Sequence, residues 1–299
     1  MGLYIPKEFT ISVLSNLNAV NNNTLNNVVV DMVYDEARSY TTVTFIKKAF
    51  DKMEKIFFDQ VATTMDKQGT PFNPPFLIQG IEYKEHNLHP VTGFGQNFAT
   101  FVSFILVWIG TMATALITHF IFPLENHWVE KNADHAILKT MSAKIFTSGA
   151  LLFIICVIVS IIPLCCGKVT MFKGYAAVLF FFFFFSFTGL GINNCLIHLF
   201  HFINFYLIAC TLMMFQLISC GGIIHRDIQY GFFKLGKVFP MFYAVRELKY
   251  IYFGSGKHTQ ATNIIVIFAW AIVSMAAALF LYYIELKVKK ARFAKGASK

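Results

Sequence analysis

Five long apolar segments in the second part of the chain constrain its fold more than any other feature. A bilayer core about 30 Å thick is crossed by roughly 20 apolar residues in an α-helix. Five segments reach or approach this length: Phe98–Ile121, Ile145–Cys166, Tyr175–Ile192, Leu196–Cys220 and Thr262–Tyr283. The sequence therefore predicts a membrane protein built on an all-α bundle of about five transmembrane helices.

The composition agrees with a membrane protein and argues against a soluble enzyme. Of the 299 residues, 56% are hydrophobic and only 14% are charged, whereas a soluble chain carries about 25% charged residues. The chain is basic, with 25 Lys and Arg against 16 Asp and Glu. Since these cations lie between apolar blocks, membrane lipids are the expected partners and nucleic acid is not.

Residues 1–97 differ from the rest, because they hold most of the acidic residues and no cysteine. Residues 28–34 have strand propensity, and residues 39–67 have the apolar spacing of a helix. Residues 76–83 are expected to be extended. The pattern predicts an extracytoplasmic α/β domain over residues 1–97, followed by a permease-like transmembrane domain over residues 98–285.

The remaining residues, 286–299, form a basic tail that sets the expected orientation. The tail carries six Lys and Arg and no acidic residue, which marks a cytoplasmic segment under the positive-inside rule. With five spans, residues 1–97 then lie outside, with the plasma membrane as the expected location. The glycosylation motif Asn22-Asn23-Thr24 fits that side, but a chance match in an Asn-rich loop explains it at least as well.

Polar residues concentrate on the third and fourth predicted spans. They are Asn193, Asn194, His198, His201, Asn204 and Gln216. A polar side chain costs free energy in lipid unless it faces protein or water, so this helix pair is expected to line a substrate path. Hydrogen bonds that only hold the helices together are the alternative. We expect the two spans to form a helical hairpin that turns at residues 193–195, rather than one broken helix.

Residues 221–261 are too polar to span the membrane and too apolar for a free loop. The residues that mark this segment are Gly221, Gly222, Pro240, Tyr243 and Arg246. A segment rich in Tyr, Phe, Lys and Arg is typical of the membrane–water boundary. The sequence predicts a re-entrant or interfacial helical hairpin here, with Pro240 in the first turn of its second helix.

Catalytic and metal-binding patterns are weak in this sequence. Residues 253–259 look like a phosphate-binding loop, but they lack the early glycine and the hydroxyl after Lys257 that nucleotide binding needs. His198 and His201 lie three residues apart without neighbouring carboxylates. All six cysteines lie in or beside the apolar segments, where a free thiol packs as a small hydrophobic group. We expect a protein that is not an enzyme and holds no metal or cofactor.

Several stretches, taken together, resemble a known family. Residues 2–9, Gly-Leu-Tyr-Ile-Pro-Lys-Glu-Phe, look like the start of the extracytoplasmic domain in YhgE/Pip-type membrane proteins. Residues 33–42 resemble a tract of the fungal nitrosoguanidine-resistance proteins, and residues 88–95 are similar to the entry into the second membrane helix of both groups. Residues 232–241 resemble a signature before the last helix that these proteins share with type-2 ABC exporter permeases.

The resemblance implies a six-helix permease-like domain, with the α/β domain between its first two helices and the first helix missing from this chain. It also implies transport of lipid-like or toxic compounds, with a separate ATPase subunit and a second copy of the chain as candidate partners. The alternative is a receptor or scaffold whose extracytoplasmic domain binds a partner. A remnant of a longer gene is a third hypothesis.

Overall fold

The chain forms two compact units, Met1–Thr92 and Gly93–Lys299. The computed structural model describes residues 2–18, 28–69, 73, 76, 80–122, 136–200, 202–222 and 228–296. The glycosylation motif at residues 22–24 and the side chain of His201 therefore lie outside the described residues, as do residues 223–227 of the predicted hairpin.

The first unit is a three-stranded sheet with two helices. Strand β1 (Gly2–Tyr4) pairs antiparallel with β2 (Val29–Tyr34), and β2 pairs parallel with β3 (Glu82–Asn87). Helix α1 (Phe9–Asn18) follows β1, and helix α2 (Tyr40–Lys67) provides the crossover that a parallel pair requires. The unit is thus a small α/β fold.

One boundary in this unit was predicted wrongly. Residues 76–83 were expected to be extended, but β3 begins only at Glu82. Phe76 instead packs into the core at 2% exposure, with its ring centre 5.8 Å from that of Phe58 on α2. Burial of this aromatic ring against α2 offers more than an extended edge position would.

The second unit consists of helices. They are α3 (Phe94–Ile121), α4 (Ala136–Gly167), α5 (Tyr175–Leu199), α6 (Phe202–Ser219), α7 (Pro240–Phe253) and α8 (Gln260–Gly296). Four stretches of them are long and apolar enough to cross a membrane: Gly95–Ile121, Ser142–Gly167, Tyr175–Leu199 and Lys257–Glu285. A shorter apolar stretch, Ile203–Ser219, lies on α6. The chain is an integral, multi-pass membrane protein.

The turn between the third and fourth predicted spans lies later than expected. Residues 193–195 are inside α5, which ends at Leu199, and the extended backbone of Phe200 (φ −122°, ψ 150°) separates it from α6. Asn193 is accommodated within the helix because its Nδ2 donates a hydrogen bond to Thr111 Oγ1 on α3, at 3.0 Å. A polar pair in a helix was mistaken for a turn.

Helix α5 is the centre of the bundle and meets its neighbours at small residues. A Cβ added at Gly191 would collide with the Ser274 side chain and would lie 2.8 Å from the Met275 backbone nitrogen on α8. A Cβ at Gly189 would lie 2.8 Å from Thr111 Oγ1 on α3. Small residues of this kind let membrane helices approach closely, so α5 packs tightly on α3 and α8.

The predicted hairpin has one arm of a different type. Its first arm is a 3₁₀ helix, Gly231–Val238, rather than an α-helix, and its side chains are mostly exposed. The second arm is α7, with Pro240 in the first turn as predicted, and Gly254 ends it in the left-handed conformation (φ 81°). Nearly every residue of α7 is buried or half-buried, so this arm packs inside the unit.

Contacts define two ends of this unit. At the hairpin end, the Phe172 and Lys173 amides between α4 and α5 donate hydrogen bonds to the carbonyls of Tyr252 and Ile251 on α7. At the tail end, α3, α5 and α8 meet around His198, and α8 continues to Gly296 within the basic tail.

Candidate functional site

A group of polar and aromatic side chains lies at the tail end of the bundle, around His198. The His198 side chain is only 2% exposed, and its Nδ1 lies 2.7 Å from Glu285 Oε2 on α8. The His198 ring centre is 5.4 Å from that of Tyr282 on α8 and 5.9 Å from that of His119 on α3. Three helices therefore bring four groups that can exchange protons or hydrogen bonds to one place.

Lys144 joins this group from α4. The residue is 8% exposed, and its Nζ lies 5.2 Å from the centre of the Tyr282 ring. Glu285 is the acidic side chain that acts electrostatically on Lys144. A lysine buried in a membrane helix is costly unless it meets an anion, an aromatic face or water, so its position here constrains what the site can hold.

A cavity of about 380 Å³ opens beside these side chains. Lys144, Asn194 and His198 form its polar wall, and Leu190, Met275 and Leu279 form an apolar wall. The cavity lies between α4 and α8, with α5 behind it. Its size is at the lower end of the range typical of small-molecule sites.

Unpaired polar atoms continue from this cavity into the bundle. Asn194 Oδ1 and Asn193 Oδ1 on α5, and Trp108 Nε1 and Thr114 Oγ1 on α3, are buried without a hydrogen-bond partner among the described residues. Leaving such a group unpaired costs about 1–3 kcal/mol. The interior of the α3–α5 interface is therefore polar and able to bind a further group.

The hairpin end also buries charges, but its charged groups have fixed neighbours. Glu247 on α7 is 1% exposed and accepts a hydrogen bond from Asn263 Nδ2 on α8, at 3.2 Å. Burial raises the pKa of Glu247, while hydrogen bonds from Asn263 and Gln260 oppose that rise. Lys249, which is 5% exposed, donates to the Gly222 carbonyl at 3.4 Å.

The residues chosen from the sequence to mark the hairpin take different places. Gly221 adopts φ 74° in the turn after α6, and Gly222 supplies the carbonyl that Lys249 binds. Pro240 is buried at the start of α7, while Tyr243 and Arg246 are half-buried. The Arg246 guanidinium lies 5.2 Å from the centre of the Phe242 ring, in cation–π geometry.

Comparison with protein families gives a match over most of the chain. The family described as "Protein of unknown function (DUF3533)" matches residues 1–276. The chain belongs to this family. A search of curated proteins found no match, and neither did a search of solved structures.

In this DUF3533 protein, the polar residues singled out on the third and fourth spans do not form one cluster. Asn194 and His198 line the same cavity, and Asn193 lies further in, bonded to α3. Gln216 is 1% exposed on α6, and neither of its amide atoms has a partner among the described residues. Asn204 is exposed, so the structure does not place it with the others.

Sequence reasoning missed Lys144, Glu285, His119 and Tyr282 of the same DUF3533 site. Lys144 directly precedes the predicted span Ile145–Cys166, and Glu285 follows the end of Thr262–Tyr283 by two residues. Charges at the ends of spans are usually solvated flanks, and no rule of spacing within one helix links them. The signal was their common depth, which becomes visible only once the helices are paired.

The described part of this DUF3533 chain holds no group of three or more His, Cys, Asp or Glu side chains placed to hold a metal ion. The site is better suited to binding a polar organic group. Its side chains offer one ammonium, one amide, an imidazole–carboxylate pair and a phenol.

Proposed function

We propose that this membrane protein is a transporter of permease type that moves, or helps to move, lipid-like or amphipathic toxic compounds. It does so without catalysing a covalent reaction. The resemblance to the nitrosoguanidine-resistance and YhgE/Pip proteins belongs to this proposal, as does the permease-like nature of the bundle.

The observation that carries the proposal is the set of unpaired polar atoms inside the bundle. A helix interface that only needs to hold together would pair its buried amides, because each unpaired one costs free energy. Asn193, Asn194 and Trp108 keep unpaired atoms between α3 and α5, next to the cavity. Water or a passing polar group satisfies these atoms during transport.

Orientation and energy supply follow from charge and from motifs. The basic tail places the tail end in the cytoplasm under the positive-inside rule, and residues 1–92 then lie outside the plasma membrane. The sequence has no complete nucleotide-binding loop, so ATP hydrolysis would be the task of a separate subunit. A homodimer is the assembly that we propose for the bundle.

An efflux assay with point variants tests the path. Cells that produce the full-length chain are loaded with an amphipathic fluorescent dye or exposed to a nitrosoguanidine, and retention or survival is measured. Asn194→Leu and His198→Leu are expected to lower efflux about fivefold or more, a barrier change of about 1 kcal/mol. Asn204→Leu, the same change of type at an exposed site, serves as the control and should leave efflux intact. Unchanged efflux in both path variants would overturn the proposal.

The scaffold hypothesis has one specific observation in its favour. Helix α2 of the first unit leaves Phe45, Met53 and Phe57 exposed at 70%, 61% and 50%, and an exposed apolar stripe is typical of a protein-binding face. In a Phe45→Ser, Met53→Ser double variant, a transporter keeps its efflux activity. A scaffold loses a partner that crosslinks to α2 in intact cells, and that loss with unaltered efflux would favour this second function.

A further inference from the structure

The cavity at the tail end combines groups of opposite demand within one small volume. Lys144 offers an ammonium group, whereas Asn194 offers a buried amide oxygen, 7% exposed as a residue, that has no partner among the described residues. An anion satisfies the lysine, and a hydrogen-bond donor satisfies the amide oxygen. A simple anion such as a carboxylate brings acceptors only, so it fits half of this wall.

The His198–Glu285 pair adds to the demand for a donor. Glu285 brings a carboxylate to the edge of the site, with 27% of its side chain exposed, and His198 holds it at 2.7 Å. The charged and titratable groups around the cavity are thus Lys144, His198, Glu285, Tyr282 and, behind His198, His119. A ligand that carries both an anionic and a cationic group complements this set better than one that carries a single charge.

The rest of the cavity sets the size and the attachment of the ligand. About 380 Å³ holds a compact head group but not a pair of long acyl chains. Outside the cavity, α4 and α8 expose apolar side chains such as Phe146 at 80% and Phe280 at 63%. Chains attached to a head group in the cavity therefore have an apolar surface to lie on.

We propose that this cavity binds the head group of a phospholipid that carries a phosphate and a primary ammonium. The phosphate meets Lys144 Nζ, the ammonium donates to Asn194 Oδ1, and the acyl chains remain along α4 and α8. This inference names the substrate class of the proposed transport path, on which it rests. It also predicts discrimination against a choline head group, which has the same charges but no N–H donor.

A binding experiment on the purified full-length protein tests the inference without any transport. Native mass spectrometry in detergent compares ethanolamine and choline phospholipids with identical acyl chains. The wild type is expected to bind the ethanolamine lipid about tenfold more tightly, the effect of leaving one buried acceptor unsatisfied. Equal affinities for the two lipids would overturn the head-group assignment.

Variants separate the two contacts. Lys144→Met is expected to weaken both lipids about tenfold, the loss of one charge-assisted contact, while Lys144→Arg largely restores binding. Asn194→Leu removes the preference for ethanolamine and leaves choline-lipid binding unchanged. Lys287→Met is the matched control, because Lys287 is an exposed lysine beside Tyr283 and outside the cavity lining. A retained preference in Asn194→Leu would contradict the proposed role of its amide oxygen.

A last arm distinguishes the lipid from a soluble ligand of the same chemistry. Soluble phosphoethanolamine at the same concentration is expected not to compete, because the chains contribute much of the binding. Full competition by it would overturn the lipid assignment. If ethanolamine-lipid selectivity is observed while efflux is unaltered in Asn194→Leu, the binding site stands and the transport path fails, so the two proposals can fail separately.

Discussion

The two ends of the membrane unit both bury charged side chains, yet they pair them differently. At the hairpin end, Glu247 is bonded by Asn263, and Lys249 is bonded to the Gly222 carbonyl. At the tail end, Lys144 and Asn194 line a cavity, and Asn194 keeps an unpaired amide oxygen within the described part of the chain.

This difference separates two uses of buried polarity. Charges with fixed protein partners hold elements in register and contribute to stability, provided that every partner stays in place. Polar groups that retain unused capacity beside a cavity lower stability and are available to a ligand. The hairpin end is accordingly a structural clamp, and the tail end is the candidate binding site. Variants of each end can test this division.

The largest effect is expected at the seam that both ends share. Gly191→Leu would drive a side chain into Ser274 and the Met275 backbone, and should destabilise the bundle by more than about 3 kcal/mol. Fluorescence-detected size-exclusion chromatography in detergent should find no monodisperse folded protein. Gly149→Leu on α4, where an added Cβ meets nothing within 4 Å, is the control. Normal folding of both variants would contradict the close α5–α8 contact.

The next effect is confined to the hairpin end. A Cβ at Gly236 would lie 2.6 Å from Ser219 Cβ and would meet the Ser219 backbone carbonyl, so Gly236→Ala should cost about 1–3 kcal/mol. The expected result is a lower melting temperature with lipid selectivity retained. Gly231→Ala in the same 3₁₀ helix has open space and should melt like the wild type. Lost selectivity in a folded Gly236→Ala protein would argue against independent ends.

Two asparagines allow the same substitution at the two ends. Asn263→Leu removes the donor to buried Glu247 and should lower stability by about 2 kcal/mol. Asn194→Leu removes an amide oxygen that has no partner within the described chain, so stability should stay the same or rise slightly. Thermal unfolding in detergent measures both. If the two variants were destabilised equally, the clamp and the binding site would not be distinguishable.

The smallest effect is a pH dependence at Glu247. Its pKa is raised in the folded protein, first by burial, so its contribution to stability is complete below the unfolded-state pKa and is lost as the pH rises through the folded-state pKa. Glu247→Gln is neutral at every pH and should lack this loss. Melting curves from pH 5 to pH 9 should diverge, with the wild type falling relative to Glu247→Gln as pH rises. Parallel curves would contradict a carboxyl held neutral by burial.

Long apolar segments made the membrane helices predictable, because hydrophobic length alone specifies a spanning helix. The α/β character of the first unit and the place of Pro240 followed from local pattern and turn chemistry. The turn at residues 193–195 was wrong, because an asparagine pair favours a turn unless a partner such as Thr111 is supplied by another helix. Local preference was overridden by a tertiary hydrogen bond.

The candidate site was only half predictable. Asn194 and His198 stand out inside an apolar segment, where a polar side chain needs a reason. Lys144 and Glu285 stand at the ends of apolar segments, where a charge needs none. Their meeting depends on how far each helix extends and on which helices lie side by side, and a single sequence specifies neither.

The polar residues of α8 have a regular spacing. Asn263, Ser274 and Glu285 are 11 residues apart, which in an α-helix is three turns plus about 20°. They contact Glu247, the Thr188 carbonyl and His198 in turn. One narrow stripe of one helix therefore carries all three contacts, and an axial rotation of α8 would break them together. Since the basic tail is the continuation of that helix, a torque applied to the tail acts on both ends of the bundle at once.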